Sequence, residues 1–111
     1  MNINSTKGEF PIEIDGEIRA IKCTIEAQEG IVNDLELESI GDLPEALRSL
    51  QGRSLAVVVS HMLCEDATSV DELCKCSIPW LPASASITQA FSFAMYGKGG
   101  PPSNPPEAAA E

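Results

Sequence analysis

Four side chains in the second half of the chain have metal-binding chemistry: His61, Cys64, Cys74 and Cys76. A structural zinc site uses four such ligands, usually with about two to four residues between paired cysteines. Here a single residue separates Cys74 from Cys76, and His61 and Cys64 are spaced as neighbours on one helix face. All four would converge only if the intervening loop folded back. We therefore predict no metal or other cofactor, and we interpret these cysteines and Cys23 as reduced thiols.

Nucleophilic catalysis would require a cysteine or serine whose proton is taken by a neighbouring base. His61 is the only histidine in the chain and lies within an apolar stretch. Carboxylates are numerous, but glycosidase chemistry needs two of them in a concave site, for which a small acidic domain offers little room. The Lys98-Gly99-Gly100 segment is not followed by a helix start, as a phosphate-binding loop would be. We predict that the protein is not an enzyme.

The acidic residues indicate protein binding more directly. Seven acids and no base fall between positions 26 and 45, with Glu36 and Glu38 near the middle. One interpretation is a solvated face that keeps the chain soluble. The other is a docking face for a basic partner, because complementary charge accelerates the encounter. Glu36 and Glu38 are therefore candidate contacts.

A second candidate binding feature is the segment 78–82, in which two prolines bracket Trp80 and Leu81. Either these two side chains fold back over the core, or they form an exposed apolar anchor, since tryptophan is enriched at binding hot spots. Phe91 and Phe93 lie about 200° apart on a helix and cannot share one narrow buried stripe. One of the two is expected to be exposed, so Trp80, Leu81 and Phe93 are the candidate apolar contacts.

Composition limits the class of partner. The chain has 111 residues, and its 17 acidic and 7 basic side chains give a formal charge of −10. This charge argues against general nucleic-acid binding, which needs clustered lysine and arginine. It also argues against binding to an anionic membrane surface. No apolar run approaches the ~18 residues of a membrane span, and the N-terminus lacks a signal-peptide pattern. We predict one cytoplasmic domain with a protein partner.

The elements that would position these residues begin with a β-hairpin over residues 8–22. Apolar residues alternate in its first arm. Asp15-Gly16 between the arms is typical of a type I′ turn, which needs positive φ at both positions. Thr24 is the predicted N-cap of the first helix, which ends by Gly41. Its inward residues are predicted to be Ile25, Val32 and Leu35.

Four further helices are predicted from capping signals. Their starts, in chain order, are Asp42, Ser54, Ser69 and either Ser84 or Ser86. The valine run at 57–59 could also be a strand, but the apolar helical period continues to Leu63 and favours a helix. Ser69 and Glu72 have the spacing of a capping box. Residues 78–82 are predicted to be a connector, and Gly97 ends the last helix.

Together these elements predict an α+β fold, with an N-terminal β-hairpin packed on four to five short α-helices. Residues 1–6 are predicted to be a flexible N-terminus. Residues 7–97 are predicted to form a single domain, with the hairpin at 8–22 and the helical part at 24–97. Residues 98–111, which are rich in Gly, Pro, Ala and Glu, are predicted to be a disordered tail.

The order of the N-terminal motifs is the most distinctive feature of the sequence. Gly8-Glu9-Phe10-x-Ile12-x-Ile14-Asp15-Gly16 is followed by a second arm, then by Thr24-Ile25-x-Ala27 and Asp34-Leu35-Glu36. This order resembles the gene-transfer-agent family of small phage-tail proteins. That family opens with Gly-Glu, a hairpin with Asp-Gly and a threonine-led helix with a Leu-Glu pair. The resemblance covers residues 7–95, and segments 43–50 and 54–63 fit the helices that follow.

The resemblance implies a non-enzymatic tail assembly chaperone. Such a protein coats the long tape-measure protein in the bacterial cytoplasm and keeps its apolar helices soluble until tube subunits polymerise. One alternative is a structural tail component retained in the particle, such as a tail-tube or terminator piece, which would form homo-oligomers. Another is an unrelated acidic domain that binds a basic protein and loses it as salt rises, whereas an apolar contact would persist.

Overall fold

The computed structural model describes residues 3–50, 52–64 and 68–97, and this part has the predicted α+β architecture. Two antiparallel strands, β1 (Glu9–Ile14) and β2 (Glu17–Lys22), precede five helices. The helices are α1 (Ile25–Asp34), α2 (Leu43–Arg48), α3 (Arg53–Met62), α4 (Val70–Cys74) and α5 (Trp80–Tyr96). A 3-10 turn, Ser5–Lys7, begins within the segment predicted to be a flexible N-terminus. The predicted tail, residues 98–111, lies outside the described residues.

The hairpin turn has the predicted geometry. Asp15 and Gly16 have φ values of 52° and 83°, which a type I′ turn requires. The turn also contacts the connector before α5. The Asp15 N–H donates to the Ser77 carbonyl at 2.8 Å, and the Ser77 N–H donates to Asp15 Oδ1 at 2.7 Å. This reciprocal pair of hydrogen bonds, called here the Asp15–Ser77 clamp, attaches the hairpin tip to the start of α5.

The hairpin is covered by other elements, as a two-stranded sheet must be to persist in water. α5 packs across both strands. The chain leaving α3 forms a bridge between Leu63 and Ile21, and the Cys64 N–H donates to the Ala20 carbonyl at 3.0 Å. The outer edge of β2 is therefore partly paired, and Ile21 is completely buried.

α3 and α5 supply much of the core. α3 packs against α1, α4 and β2, whereas α5 packs against the hairpin and α2. The predicted choice of a helix over a strand for α3 is confirmed. The largest fully buried side chains are Ile21, Ile31, Leu43, Met62, Leu73, Ile87, Val58 and Val59.

Two predicted N-caps are confirmed by their hydrogen bonds. The Thr24 side chain accepts from the Ala27 N–H at 3.0 Å at the start of α1. The Ser69 side chain accepts from the Glu72 N–H at 3.2 Å at the start of α4. In both cases a short polar side chain satisfies an N–H that has no partner inside the helix.

The second helix begins directly after Asp42, as predicted, but Asp42 does not cap it, and two other predicted helix starts are wrong. Asp42 has helical backbone angles and makes no capping bond, because the 3-10 turn Ile40–Asp42 runs directly into α2. Ser54 lies inside α3, whose N-cap is Gly52. α5 begins at Trp80 rather than at Ser84 or Ser86. Pro82 then falls in the first turn, where the missing N–H leaves no intrahelical bond unmade.

α1 ends well before Gly41, in a Schellman motif. The Leu37 N–H donates to the Val32 carbonyl at 2.9 Å and the Glu36 N–H to the Asn33 carbonyl at 3.2 Å, the two bonds of that motif. Its left-handed position is occupied by Glu36, with φ of 57°. Glycine is usual there because a Cβ crowds the following carbonyl.

The inward face of α1 also differs from the prediction. Ala27 and Ile31, one helical turn apart, are buried against the core, whereas Ile25 is 74% exposed. Val32 and Leu35 are partly buried at the side of this face. The inward side of α1 is decided by its contact with α3, a partner that local apolar spacing does not identify.

Replacing Glu36 with glycine removes the crowded Cβ and should raise the free energy of unfolding by about 1 kcal/mol. Glu38→Gly is the matched control, because it removes the same charge from an exposed position without positive φ. The control should lower the free energy of unfolding by about 0.5–1 kcal/mol, since glycine adds freedom to the unfolded chain. Urea unfolding measures both effects, and equal shifts for the two variants would contradict this role of Glu36.

Candidate protein-interaction surface

Exposed apolar side chains are concentrated at the two ends of α5. Trp80 is 42% and Leu81 is 77% exposed at its start, and Met95 and Tyr96 are each 49% exposed at its end. The other large apolar side chains exposed in the described part of the chain are Ile18, Ile25 and Ile40. Clustered exposed apolar groups are typical of interaction surfaces, so the ends of α5 are the candidate sites.

The start of α5 holds Trp80 and Leu81 in a fixed position. These two residues, called here the Trp80 patch, follow shortly after Ser77, which is bound to the hairpin tip. Ala83, one turn into the helix, is buried. Trp80 and Leu81 therefore do not fold back over the core, and both side chains are exposed.

The Asp15–Ser77 clamp holds the carboxylate of Asp15 against Ser77, three residues before the Trp80 patch. Asp15 is part of the clamp and Glu17 is two residues further along, and both are exposed. Ile18, next in β2, is half exposed. The hairpin tip therefore combines apolar and negatively charged groups, a combination suited to the apolar face and basic flanks of a partner segment.

A cleft of about 320 Å³ lies between α3, α4 and the connector that leads to the patch. Its apolar wall includes Leu55 and Ile78, both partly buried against the core. Arg53, which also lines the cleft, forms an exposed ion pair with Asp71 at 2.9 Å.

Phe93 does not belong to the exposed patch. It is half-buried, and its ring covers Gly8, where a Cβ would lie 2.7 Å from Phe93 Cδ1. Phe91 is buried, so neither phenylalanine is exposed. α5 buries more than one narrow stripe because it packs against two partners, the hairpin and α2.

The acidic candidates Glu36 and Glu38 are both exposed, in the segment that follows α1. α1 packs against α3, whereas α5 packs against the hairpin and α2. The acidic segment therefore follows α1, whereas the Trp80 patch lies on α5. Further acids, Glu26 and Glu29, line an open cleft of about 420 Å³ beside His61.

Of the three surface cysteines, Cys74 and Cys76 line the same cleft beside α3 and α4. Cys74 Sγ lies 3.9 Å from Arg53 Nη1. The Cys76 thiol donates to the Glu72 carbonyl at 3.3 Å, and Cys64 lies beside β2. Burial, aided by neighbouring carboxylates, raises the pKa of Cys76. Within residues 3–50, 52–64 and 68–97, no three His, Cys, Asp or Glu side chains could share a metal ion.

His61, the fourth candidate ligand, is engaged between α3 and α1. Its Nε2 lies 2.7 Å from Asp34 Oδ2, and its ring lies against Gly30, where a Cβ would overlap it. Close packing therefore explains a glycine inside α1, which otherwise lowers helix stability.

No family model, curated protein or solved structure matches this chain. The resemblance to gene-transfer-agent tail proteins accordingly stays a prediction. Among the residues described, no helix has the length and apolar content needed to cross a membrane.

A double-mutant cycle tests the contact between Gly30 and His61. With His61→Ala as the background, Gly30→Ala should stabilise α1 by about 1 kcal/mol through helix propensity. With His61 present, the gain should be smaller, because the new Cβ displaces the imidazole from Asp34. Chemical unfolding of the four proteins gives the coupling, and additivity within about 0.5 kcal/mol would contradict it.

Burial raises the pKa of Cys23 from its ordinary value of 9.0 to about 11. The unfolded chain therefore loses this proton at a lower pH than the folded chain does. The stability that the neutral thiol contributes is full below pH 9 and is lost as pH rises to 11. The free energy of unfolding should fall by up to about 2 kcal/mol across this window through Cys23 alone. In urea unfolding, the free energy of unfolding of Cys23→Ala should fall less steeply with rising pH than that of the unaltered chain. Parallel declines for the two proteins would overturn the assignment of this effect to Cys23.

Proposed function

We propose that this chain is a non-enzymatic tail assembly chaperone that binds the tape-measure protein during assembly of a long phage tail in the bacterial cytoplasm. The observation that carries the proposal is the fixed, exposed Trp80 patch beside the carboxylates of the hairpin tip. The order of the N-terminal motifs supports the choice of family, and the patch provides a means of holding a partner.

The chemistry of the patch suits an amphipathic helix. Trp80 and Leu81 would receive the apolar face of such a helix, and its basic side chains would meet Asp15 and Glu17. Burying two large apolar side chains supplies most of the free energy, while the charges orient the encounter. An anchor this small gives modest and reversible binding, which suits a protein that must leave when tube subunits arrive.

The charge of the chain supports the same role. With a formal charge of −10, copies held along one long partner repel each other and remain soluble. The exposed acids Glu36 and Glu38 favour a second candidate, an acidic domain that docks on a basic protein. The two functions differ in salt dependence, because exposed charge pairs are screened and apolar burial is not.

The test is co-expression with the tape-measure protein of the same genome, followed by co-purification at about 0.1 M and about 1 M NaCl. The complex should survive both conditions, and the tape-measure protein should become soluble. Trp80→Ala and Leu81→Ser should each weaken binding by tenfold or more, as hot-spot losses do.

Ile25→Ser is the matched control, because Ile25 is as exposed as Leu81, at 74% against 77%, but lies on α1. It should bind like the unaltered chain. Loss of the complex in high salt would favour the acidic docking domain. Equal binding by all three variants would exclude the Trp80 patch as the site.

A further inference from the structure

A narrow groove lies at the opposite end of α5 from the Trp80 patch. It has a volume of about 170 Å³ and lies between α2 and α5, so it is called here the α2–α5 groove. Its lining residues are Pro44, Leu47, Arg48, Thr88, Phe91, Ser92 and Met95. A cavity of about 150 Å³ holds a benzene ring. The groove therefore has room for one large apolar side chain.

The groove carries a positive charge, which is unusual in a chain with so many acidic residues. Arg48 is the one charged side chain among its lining residues, and it makes no ion pair within the described part of the chain. An apolar floor with a cation at its edge fits an apolar anchor that carries carboxylates beside it. The same chain offers such an anchor, since Trp80 and Leu81 follow three residues after Ser77, which binds Asp15 at the acidic hairpin tip.

The groove and the patch are separated along a single helix. From Leu81 to Met95 the helix rises by about 20 Å, so one copy cannot fill its own groove with its own patch. A contact between the patch of one copy and the groove of the next joins two different surfaces and is therefore heterologous. In such a pair, one copy keeps a free patch and the other keeps a free groove.

We propose that the α2–α5 groove of one copy receives the Trp80 patch of a second copy, so that the free chain self-associates head to tail. Leu81, the more exposed of the two patch residues, enters between Leu47 and Met95, and Arg48 meets the carboxylates of the incoming hairpin tip. This contact needs no tape-measure protein. It uses the patch proposed to hold that partner, so the two contacts exclude each other.

Self-association has to overcome repulsion between copies that each carry a charge of −10. The apolar part of the contact is not screened by salt, whereas the repulsion is. Association is therefore best measured at about 0.5 M NaCl, where the Debye length is only a few ångströms.

Sedimentation velocity of the purified full chain, from micromolar to millimolar concentration, tests the proposal. The unaltered chain should form dimers and larger species. Leu81→Glu removes the patch and Met95→Glu fills the groove with charge, so each variant alone should be monomeric. Both positions are exposed, and circular dichroism confirms that the variants are folded.

Mixing the two variants gives the decisive result. The Leu81→Glu chain keeps its groove and the Met95→Glu chain keeps its patch, so an equimolar mixture should form a one-to-one dimer and nothing larger. Ile25→Glu, on α1, should associate like the unaltered chain.

Three outcomes would overturn the proposal: a monomeric unaltered chain throughout the range, continued association of either variant alone, or no dimer in the mixture. None of these bears on capture of the tape-measure protein, which is measured with the partner present. Failure of capture would in turn leave the self-association result standing.

Discussion

α5 must bury two faces at once, and the rest of the structure depends on this constraint. One face covers the hairpin, which could not persist as an isolated pair of strands, and another packs on α2. Ile87 and Ala90 are almost completely buried along the helix, and Phe93 closes over Gly8. The Asp15–Ser77 clamp then attaches the start of the helix to the hairpin tip. Because α5 is held along its length, its two ends present apolar side chains in defined positions.

The proposed chemistry follows from this attachment. A flexible connector would lose much of its binding free energy in ordering Trp80 and Leu81, whereas a helix start held by the clamp has already lost that freedom. The same clamp brings carboxylates beside the patch. The resulting surface combines apolar burial, which provides affinity, with charge, which orients the encounter. A small anchor of this kind can be exchanged between a second copy and a partner chain.

Local signals determined several elements of the fold. The Asp15-Gly16 turn, the Thr24 and Ser69 caps and the helical period of α3 depend on residues close together in sequence, so each was predicted correctly. The exposure of Trp80 was left open, because burial depends on which elements are neighbours. The helix start at Asp42 was predicted correctly, but the predicted capping by Asp42 and Ser54 and the predicted exposure of one of Phe91 and Phe93 were wrong. A preceding 3-10 turn, an N-cap at Gly52 and a second packing partner for α5 decided those positions.

The sequence by itself determined the hairpin, the helical character of the remainder, the large negative charge and the motif order that suggests a phage-tail family. These properties are set by composition, by turn chemistry and by apolar period, all of which act within a few residues. Only the tertiary structure decided that α5 begins at Trp80, that Phe93 packs on Gly8, that His61 pairs with Asp34, and that a groove opens between α2 and α5. Each of these depends on contact between segments distant in the chain, and such contacts form only where the whole core leaves room for them.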